Sequence, residues 1–203
     1  MAGEAQIPGR VMSEEEYTHI RHRHWVAAGL VDGKTVLDIG CGAGLGLNLM
    51  TEKASRVVCT DLFAANIALV LNQRLDNVEA LVMDAHHLEF PDNSFDVILA
   101  MEVAQYLRME EFLSEVRRLL VVGGTLFICQ PNPDRPDFFP GRGTIRYYSV
   151  GELDYLLRNS GFKPRIMGAF SVPSKTRKAT IGIRDGIIIP LSLHNGTNPR
   201  PIS

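Results

Sequence analysis

Four glycines at alternate positions stand in the stretch VLDIGCGAGLG: Gly40, Gly42, Gly44 and Gly46, with Asp38 two residues before the first. Glycine lets a loop turn sharply and lets the backbone approach a ligand with no Cβ in the way. The spacing differs from the G-x-G-x-x-G pattern that cradles a pyrophosphate. A carboxylate just before the loop suits a cationic ligand better than a phosphate. These residues predict a site for a nucleotide-sized ligand that carries positive charge.

Two further acids stand near the ends of apolar, β-rich segments. Asp61 ends SRVVCTD, and Asp84 follows VEALVM. The carboxyl ends of parallel strands meet at one edge of a sheet, so both acids are expected near the glycine loop. Each acid could instead cap the turn that follows it, and for Asp61 the two roles can coexist.

The elements that would position these residues alternate between strand and helix periodicity. A helix is predicted over 13–30. Strands are predicted at KTVLDIG, SRVVCTD, VEALVMDAHHLEF, FDVILAM and GGTLFICQ, and helices at LGLNLMTEKA, AANIALVLNQRL and EEFLSEVRRLL. This alternation predicts the α/β class, a doubly wound and mostly parallel sheet with helices on both faces. Ligands of such sheets bind in the crevice at the carboxyl ends of the strands.

With these landmarks in order, residues 17–170 resemble the class I S-adenosylmethionine-dependent methyltransferases, particularly the small-molecule branch called type 11. VRRLLVVGGTLFI and RYYSVGELDYLLRNSGF are similar to late segments of that family. The resemblance implies one Rossmann-like methyltransferase domain over 1–203. Within it, 1–30 would be a helical lid, 31–170 the cofactor-binding core and 171–203 a variable basic segment.

The resemblance implies S-adenosylmethionine as cofactor and gives each landmark a role. Asp38 and the glycine loop would hold the methionine end, Asp61 the ribose and Asp84 the adenine edge. Cys41 would contribute only its backbone, because nothing beside it in sequence would activate a thiolate. The implied cofactor contacts are Asp38, Gly40, Cys41, Gly42, Gly44, Asp61, Leu62, Asp84, Ala85 and Met101.

A sulfonium already carries an activated methyl group, so the enzyme must mainly align an acceptor and, for a hydroxyl or ammonium, supply a base. His86 or His87 is the predicted base, although either could simply cover the adenine. Tyr106 is a third catalytic candidate, at a place where the family commonly has Glu-His and this chain has Gln105-Tyr106. The expected reaction is methylation of oxygen or nitrogen on a small, partly apolar acceptor, by in-line displacement. The predicted acceptor contacts are Tyr17, His22, Trp25 and Tyr147.

Two other functions stay open: a nicotinamide-dependent oxidoreductase on the same fold, and a catalytically silent methyltransferase-like partner subunit. No metal is predicted, because His19, His22 and His24 lack a cysteine or carboxylate partner at metal-site spacing. No nucleic-acid partner is expected, since no Asn/Asp-Pro-Pro-Tyr/Phe motif follows the fourth strand. The three cysteines are too scattered for a disulfide framework and are expected to be reduced.

The whole chain has 203 residues and a formal net charge of −2, typical of one ordinary globular domain. It contains no long apolar stretch or signal-peptide pattern, so a cytoplasmic protein without a transmembrane segment is expected. From residue 163 onward, the sequence contains seven Lys or Arg and one acid, Asp185. This segment could form a hairpin about Asp185-Gly186 or a basic amphipathic stretch, and a homodimer or partner chain could use it.

Overall fold

The computed structural model describes residues 14–134, 138–168 and 187–193. Its helices are α1 Glu14–Ala28, α2 Asn48–Thr51, α3 Ala64–Leu71, α4 Met109–Leu119 and α5 Val150–Asn159, with a 3₁₀ turn at Ala104–Tyr106. Its strands are β1 Thr35–Ile39, β2 Arg56–Asp61, β3 Val78–Val82, β4 Phe95–Met101, β5 Leu120–Gln130, β6 Phe162–Pro164, β7 Met167–Gly168 and β8 Ile187–Leu193. The predicted alternation of strands and helices is confirmed.

All these strands belong to one sheet, in the order β3-β2-β1-β4-β5-β8-β6, with β7 beside β8. The first five in this order run parallel, which confirms the predicted fold class. The chain builds β1, β2 and β3 outward in one direction and then returns to place β4 on the other side of β1. The loops after β1 and β4 therefore flank the switch point, where ligands of doubly wound sheets bind.

Side chains alternate between the two faces of the sheet, as the pleat requires. Val36, Val97 and Leu99 lie in one buried cluster with residues of α2 and α3. Leu37 and Ile98 lie in the other, with residues of α4 and α5. Because Asp38 follows Val36 by two residues, its side chain is directed to the first face. The end of α1 packs on that face too, so the N-terminal helix and the glycine loop meet there.

The second predicted helix, LGLNLMTEKA, is shorter than expected. The chain stays in turns until α2 begins, with Leu47 N–H bonded to the Gly44 carbonyl at 3.2 Å. Hydrogen bonds spanning three residues produce tight turns instead of a regular α-helix. The loop thus keeps its own shape for eight residues after β1, and only then enters a helix.

The C-terminal segment contributes a strand to the sheet. β8 lies antiparallel between β5 and β6, with Cα partners from Thr125↔Ser192 to Gln130↔Ile187. Of the two alternatives for this segment, the strand at Ile187–Leu193 agrees with the hairpin in its second half only. Its proposed hairpin partner KATIGI lies outside the described residues, as does most of the 171–203 segment. Across the parts of the chain that are described, no helix is both long and apolar enough to cross a membrane.

Candidate functional site

The glycine loop is fastened to the end of β2 by three backbone donors. Gly40 and Cys41 donate their N–H groups to the Thr60 carbonyl at 2.8 and 3.1 Å. Gly42 N–H donates to Asp61 Oδ2 at 2.9 Å. Asp61 therefore shapes the loop in addition to any contact that it makes with a ligand.

Asp61 also caps the turn into α3. Its Oδ1 accepts from Phe63 N–H at 2.9 Å and from the Asn66 side-chain amide at 3.1 Å. A carboxylate offers about four lone-pair positions, and these two bonds with the one from Gly42 use three of them. Oδ2 retains acceptor capacity for a ligand hydroxyl. Both sequence interpretations of Asp61, cap and ribose contact, are chemically compatible with this arrangement.

Asp38 is a buried carboxyl group at the end of β1, only 3% exposed. Burial is the largest cause that raises its pKa, to about 7, and the neighbouring Asp61 raises it further. Arg23 acts in the opposite direction. A buried acid whose charge lacks adequate compensation is well prepared to receive a cationic group.

A cleft opens beside Asp38, at the carboxyl ends of β1 and β4. Its lining is contributed by the loop, the two strand ends and α1: Arg23, His24, Asp38, Gly40, Cys41 and Met101. Four of these were predicted as cofactor contacts, and the structure brings them together. The two residues of α1 were not predicted to belong to the site.

Arg23 is the residue of the cleft that the sequence interpretation missed altogether. Its side chain is buried, with Nη1 3.7 Å from Glu102 Oε1, and its Nε has no hydrogen-bond partner. Burial in α1 follows helical spacing, with Ile20 one turn before Arg23 and Ala27 one turn after. This spacing of three and then four residues was the signal that could have placed Arg23 on the inner face.

His24 packs α1 directly onto the glycine loop. A Cβ on Gly46 would lie 2.1 Å from His24 Cγ, so the ring occupies the space that a side chain would need. Burial lowers the pKa of His24 to about 4, and nearby Arg23 contributes in the same direction. The ring is therefore neutral at pH 7, with Nδ1 2.7 Å from the Ile20 carbonyl. No metal-type cluster of His, Cys, Asp or Glu occurs among the described residues.

Comparison with known proteins relates this geometry to a family. Residues 37–128 match the Methyltransferase domain family. A probable S-adenosylmethionine-dependent methyltransferase of Mycolicibacterium smegmatis is 34% identical over 172 residues, covering 80% of this chain and 65% of that protein. The chain is thus similar to S-adenosylmethionine-dependent methyltransferases, with a methyltransferase domain over residues 37–128. The family's cofactor is S-adenosylmethionine.

Other relatives match over different lengths. A fatty-acid O-methyltransferase of the same organism is 34% identical over 107 residues, 51% of this chain and 39% of that protein. Among solved structures, a methyltransferase from Archaeoglobus fulgidus superposes with a TM-score of 0.74 at 19% identity, covering 89% of this chain and 95% of that one. The last similarity concerns the fold alone. The chain spans somewhat less than two thirds of the length of the first relative.

Asp84, predicted to contact the adenine edge, lies just after the end of β3. Asp84 is exposed, and its Oδ1 accepts from the backbone and ring nitrogens of His86 at 2.9 and 2.8 Å. The backbone hydrogen bond is the largest cause that lowers the pKa of Asp84. Ala85 is half-buried beside it, and Leu62 is 62% exposed after β2. The ends of β2 and β3 thus present an accessible acid and an accessible apolar side chain.

Both ring nitrogens of His86 are engaged. Nδ1 faces Asp84 Oδ1, and Nε2 accepts from Arg108 N–H at 3.0 Å, which requires an unprotonated Nε2. A general base needs a lone pair that is not already in use. This geometry argues against the prediction that His86 is the base. His87 is exposed next to it, and Tyr106 is half-buried in the 3₁₀ turn.

The predicted acceptor contacts do not gather in the cleft. Tyr17, His22 and Trp25 are exposed on α1, on the side away from Arg23, because the helix turns by about 100° per residue. Tyr147 instead closes a local loop, where its hydroxyl accepts from Gly141 N–H at 3.0 Å and its ring packs edge-on against Phe138. The roles of these four residues stay predictions.

The Cys41 thiol has a raised pKa, chiefly through a hydrogen bond with Cys59 and then through burial. A thiol held in this way is not ionised at neutral pH, and only thiolates are good nucleophiles. This supports the prediction that Cys41 serves the site through its backbone.

Proposed function

We propose that the protein transfers a methyl group from S-adenosylmethionine to a small, partly apolar acceptor through oxygen or nitrogen. The observation that carries this proposal is the buried Asp38, which lines the same cleft as the buried Arg23, beside the glycine loop. A zwitterionic amino-acid group needs one partner of each sign, and this cleft offers both. The unpartnered Arg23 Nε supports the same fit.

The cofactor supplies an activated methyl group on a sulfonium, so the chain's work is binding, alignment and exclusion of water. Asp38 accepts the ammonium end, Asp61 the ribose hydroxyls and Asp84 the adenine edge. Gly40, Gly42 and Gly44 keep side chains out of the loop, and Leu62, Ala85 and Met101 contribute apolar contact. Each of these assignments is part of the proposal.

The acceptor side lies beyond β4, where a loop is tied to the 3₁₀ turn. Ile145 and Arg146 donate their N–H groups to the Gln105 carbonyl at 2.9 and 3.2 Å. Exposed Phe139 and Ile145 give this loop an apolar surface, while the buried Gln105 Oε1 has no partner. An acceptor with an apolar body and one hydrogen-bond donor would suit this loop and the Gln105 oxygen. The fatty-acid O-methyltransferase among the relatives also supports an apolar substrate. His87 and Tyr106 remain the proposed candidates for the base.

Calorimetric titration with S-adenosylhomocysteine, S-adenosylmethionine and NAD tests the cofactor assignment. We expect both adenosyl ligands to bind. Asp61→Ala should lower both affinities by about 10- to 100-fold, the effect of losing a hydrogen bond to a charged group. Asp76→Ala, an exposed acid in the turn before β3, is the matched control and should bind normally. Circular dichroism of Asp61→Ala separates loss of binding from loss of folding.

The three outcomes distinguish the candidate functions. Binding of NAD alone would replace the proposal with the oxidoreductase. Binding of no ligand by folded protein would favour the silent partner subunit. Adenosyl binding that Asp61→Ala weakens and Asp76→Ala does not supports the proposal, and it justifies a screen of hydroxyl- and amine-bearing apolar acceptors with radiolabelled cofactor.

A further inference from the structure

The strongest feature that the proposed function leaves unexplained is the pairing of Arg23 with Glu102. Among the described residues that line the cleft, Arg23 is the one cation, since His24 is neutral at pH 7. Its Nη1 is 3.7 Å from Glu102 Oε1, beyond ordinary hydrogen-bond distance, and Nε is buried without a partner. A guanidinium presents two parallel donors to a carboxylate when the geometry is good. Glu102 therefore satisfies Arg23 only partly.

Glu102 is held at this place by its backbone, and its Oε1 also accepts from the Cys129 thiol at 3.8 Å. It has φ +59°, a left-handed conformation that non-glycine residues rarely adopt. Its N–H donates to the Cys129 carbonyl at 2.7 Å, and its carbonyl accepts from the Gln105 side-chain amide at 3.0 Å. Backbone strain that is held in this way is concentrated at functional sites. The side chain keeps 24% of its surface exposed, so it has room to leave Arg23.

We propose that Arg23 binds the carboxylate of the cofactor, and that Glu102 pairs with the Arg23 guanidinium until the cofactor carboxylate displaces it. This exchange rests on the proposed function, because it requires a ligand with an amino-acid end. The incoming carboxylate takes the place of Glu102 at Nη1, with Nη2 as the second donor of the fork, so two charge-assisted hydrogen bonds replace one long ion pair. Glu102 is a positioning residue in this exchange, since it acts on the cofactor only through Arg23.

The exchange predicts how variants of Arg23 change the relative affinities for two ligands. The ligands are S-adenosylhomocysteine and its decarboxylated analogue, which differ only in the group that Arg23 would bind. Wild-type protein should prefer the first by about 10- to 100-fold. Arg23→Gln should bring the two affinities within about twofold of each other, and Arg23→Lys should retain part of the preference because it keeps the charge without the planar fork. Arg21→Gln, on the exposed side of the same helix, should change neither affinity.

Glu102→Gln gives the decisive readout. Removing the competing charge should increase the affinity for S-adenosylhomocysteine by about two- to fivefold, the range of a partly exposed ion pair. It should leave the decarboxylated analogue unchanged, because that ligand does not displace Glu102. A residue that merely supports the fold would alter both affinities alike.

The exchange is overturned if Arg23→Gln and Arg23→Lys both keep the wild-type preference, or if Glu102→Gln shifts both ligands equally. Either result leaves the proposed function standing, provided that wild-type protein still binds S-adenosylhomocysteine and Asp61→Ala binds it more weakly. Failure of the wild type to bind either ligand would instead overturn the proposed function and the exchange together.

Discussion

Asp38 shows at the level of one residue how the site departs from what stability alone would select. The folded protein raises its pKa to about 7, well above the value of an exposed aspartate, mainly through burial. Between about pH 4 and 7, the folded state therefore holds a proton that the unfolded chain releases. Stability must fall as pH rises through this window and level off above it. A cationic group bound beside Asp38 would offset this loss of stability.

Asp38→Asn removes this cost and should stabilise the ligand-free protein in a pH-dependent way. At pH 5, where the wild-type carboxyl is protonated, we expect the two proteins to have nearly equal melting temperatures. At pH 8 the variant should melt about 2–4 °C higher, the shift that ~1 kcal/mol produces in a domain of this size. The measurement is differential scanning calorimetry at both pH values, and the contribution of His24 cancels because both proteins contain it.

Asp76→Asn is the control for this comparison, since it neutralises an exposed acid. Asp38→Asn should also lose affinity for S-adenosylhomocysteine, because an amide cannot neutralise an ammonium group. An asparagine variant that is less stable than wild type at pH 8 would contradict the argument that the Asp38 charge is poorly compensated.

The residues of the site differ in how far the sequence could predict them. Asp38 and Asp61 could be predicted because each lies at the carboxyl end of an apolar strand, and these ends converge at one edge of the sheet. Arg23 could not, because its place in the cleft depends on how α1 docks onto a loop that begins seventeen residues later. The engagement of His86 by Arg108 N–H depends in the same way on a long-range contact.

At the scale of elements, the glycines of the loop serve two different physical needs. Gly40 has φ +68°, and a Cβ there would also lie 2.7 Å from Val103 Cγ2. Gly46 does not have a left-handed φ, and the three atoms nearest to a Cβ there all belong to the ring of His24. One glycine is thus required by backbone conformation as well as by contact, and the other by the packing of α1.

This difference predicts which substitution a second change can rescue. Gly46→Ala should destabilise the protein by about 1–3 kcal/mol, as expected when a methyl group is forced into a packed contact. In a His24→Ala background the same substitution should cost little, because the ring is gone. Gly40→Ala should stay costly in a Val103→Ala background, since about 1–2 kcal/mol of left-handed strain remains. Urea unfolding of the two double-mutant cycles measures both couplings.

Equal costs of Gly46→Ala with and without His24 would show that α1 does not rest on the loop as described.

The prediction of the strands and of α3 and α4 from periodicity succeeded because their apolar faces repeat at the strand or helix period. The length of α2 could not be predicted in this way. It is set by the turns that hold the loop between β2 and α1, not by the helical propensity of its residues.

At the scale of the whole molecule, the sheet is completed by a strand that comes last in the chain. β8 pairs with β5 over Thr125 to Gln130 and with β6 over Phe162 to Pro164. The sequence could not distinguish a hairpin from a basic amphipathic stretch in this segment, because its apolar run is interrupted and lies next to basic residues. Its place depends on an unsatisfied edge of β5, which is a property of the assembled sheet.

Deleting residues 187–203 should therefore affect the fold as a whole. The deletion leaves the β5 edge and the short β6 without their backbone hydrogen bonds, and exposes a strand edge that promotes association between chains. We expect a loss of several kcal/mol from a total stability of about 5–15 kcal/mol, seen as a lower melting temperature and as aggregates in size-exclusion chromatography. The shorter deletion of 194–203 keeps every described strand and is the matched comparison. If both deletions melt alike, β8 does not hold β5 and β6 together, and the sheet must be stable with its five parallel strands alone.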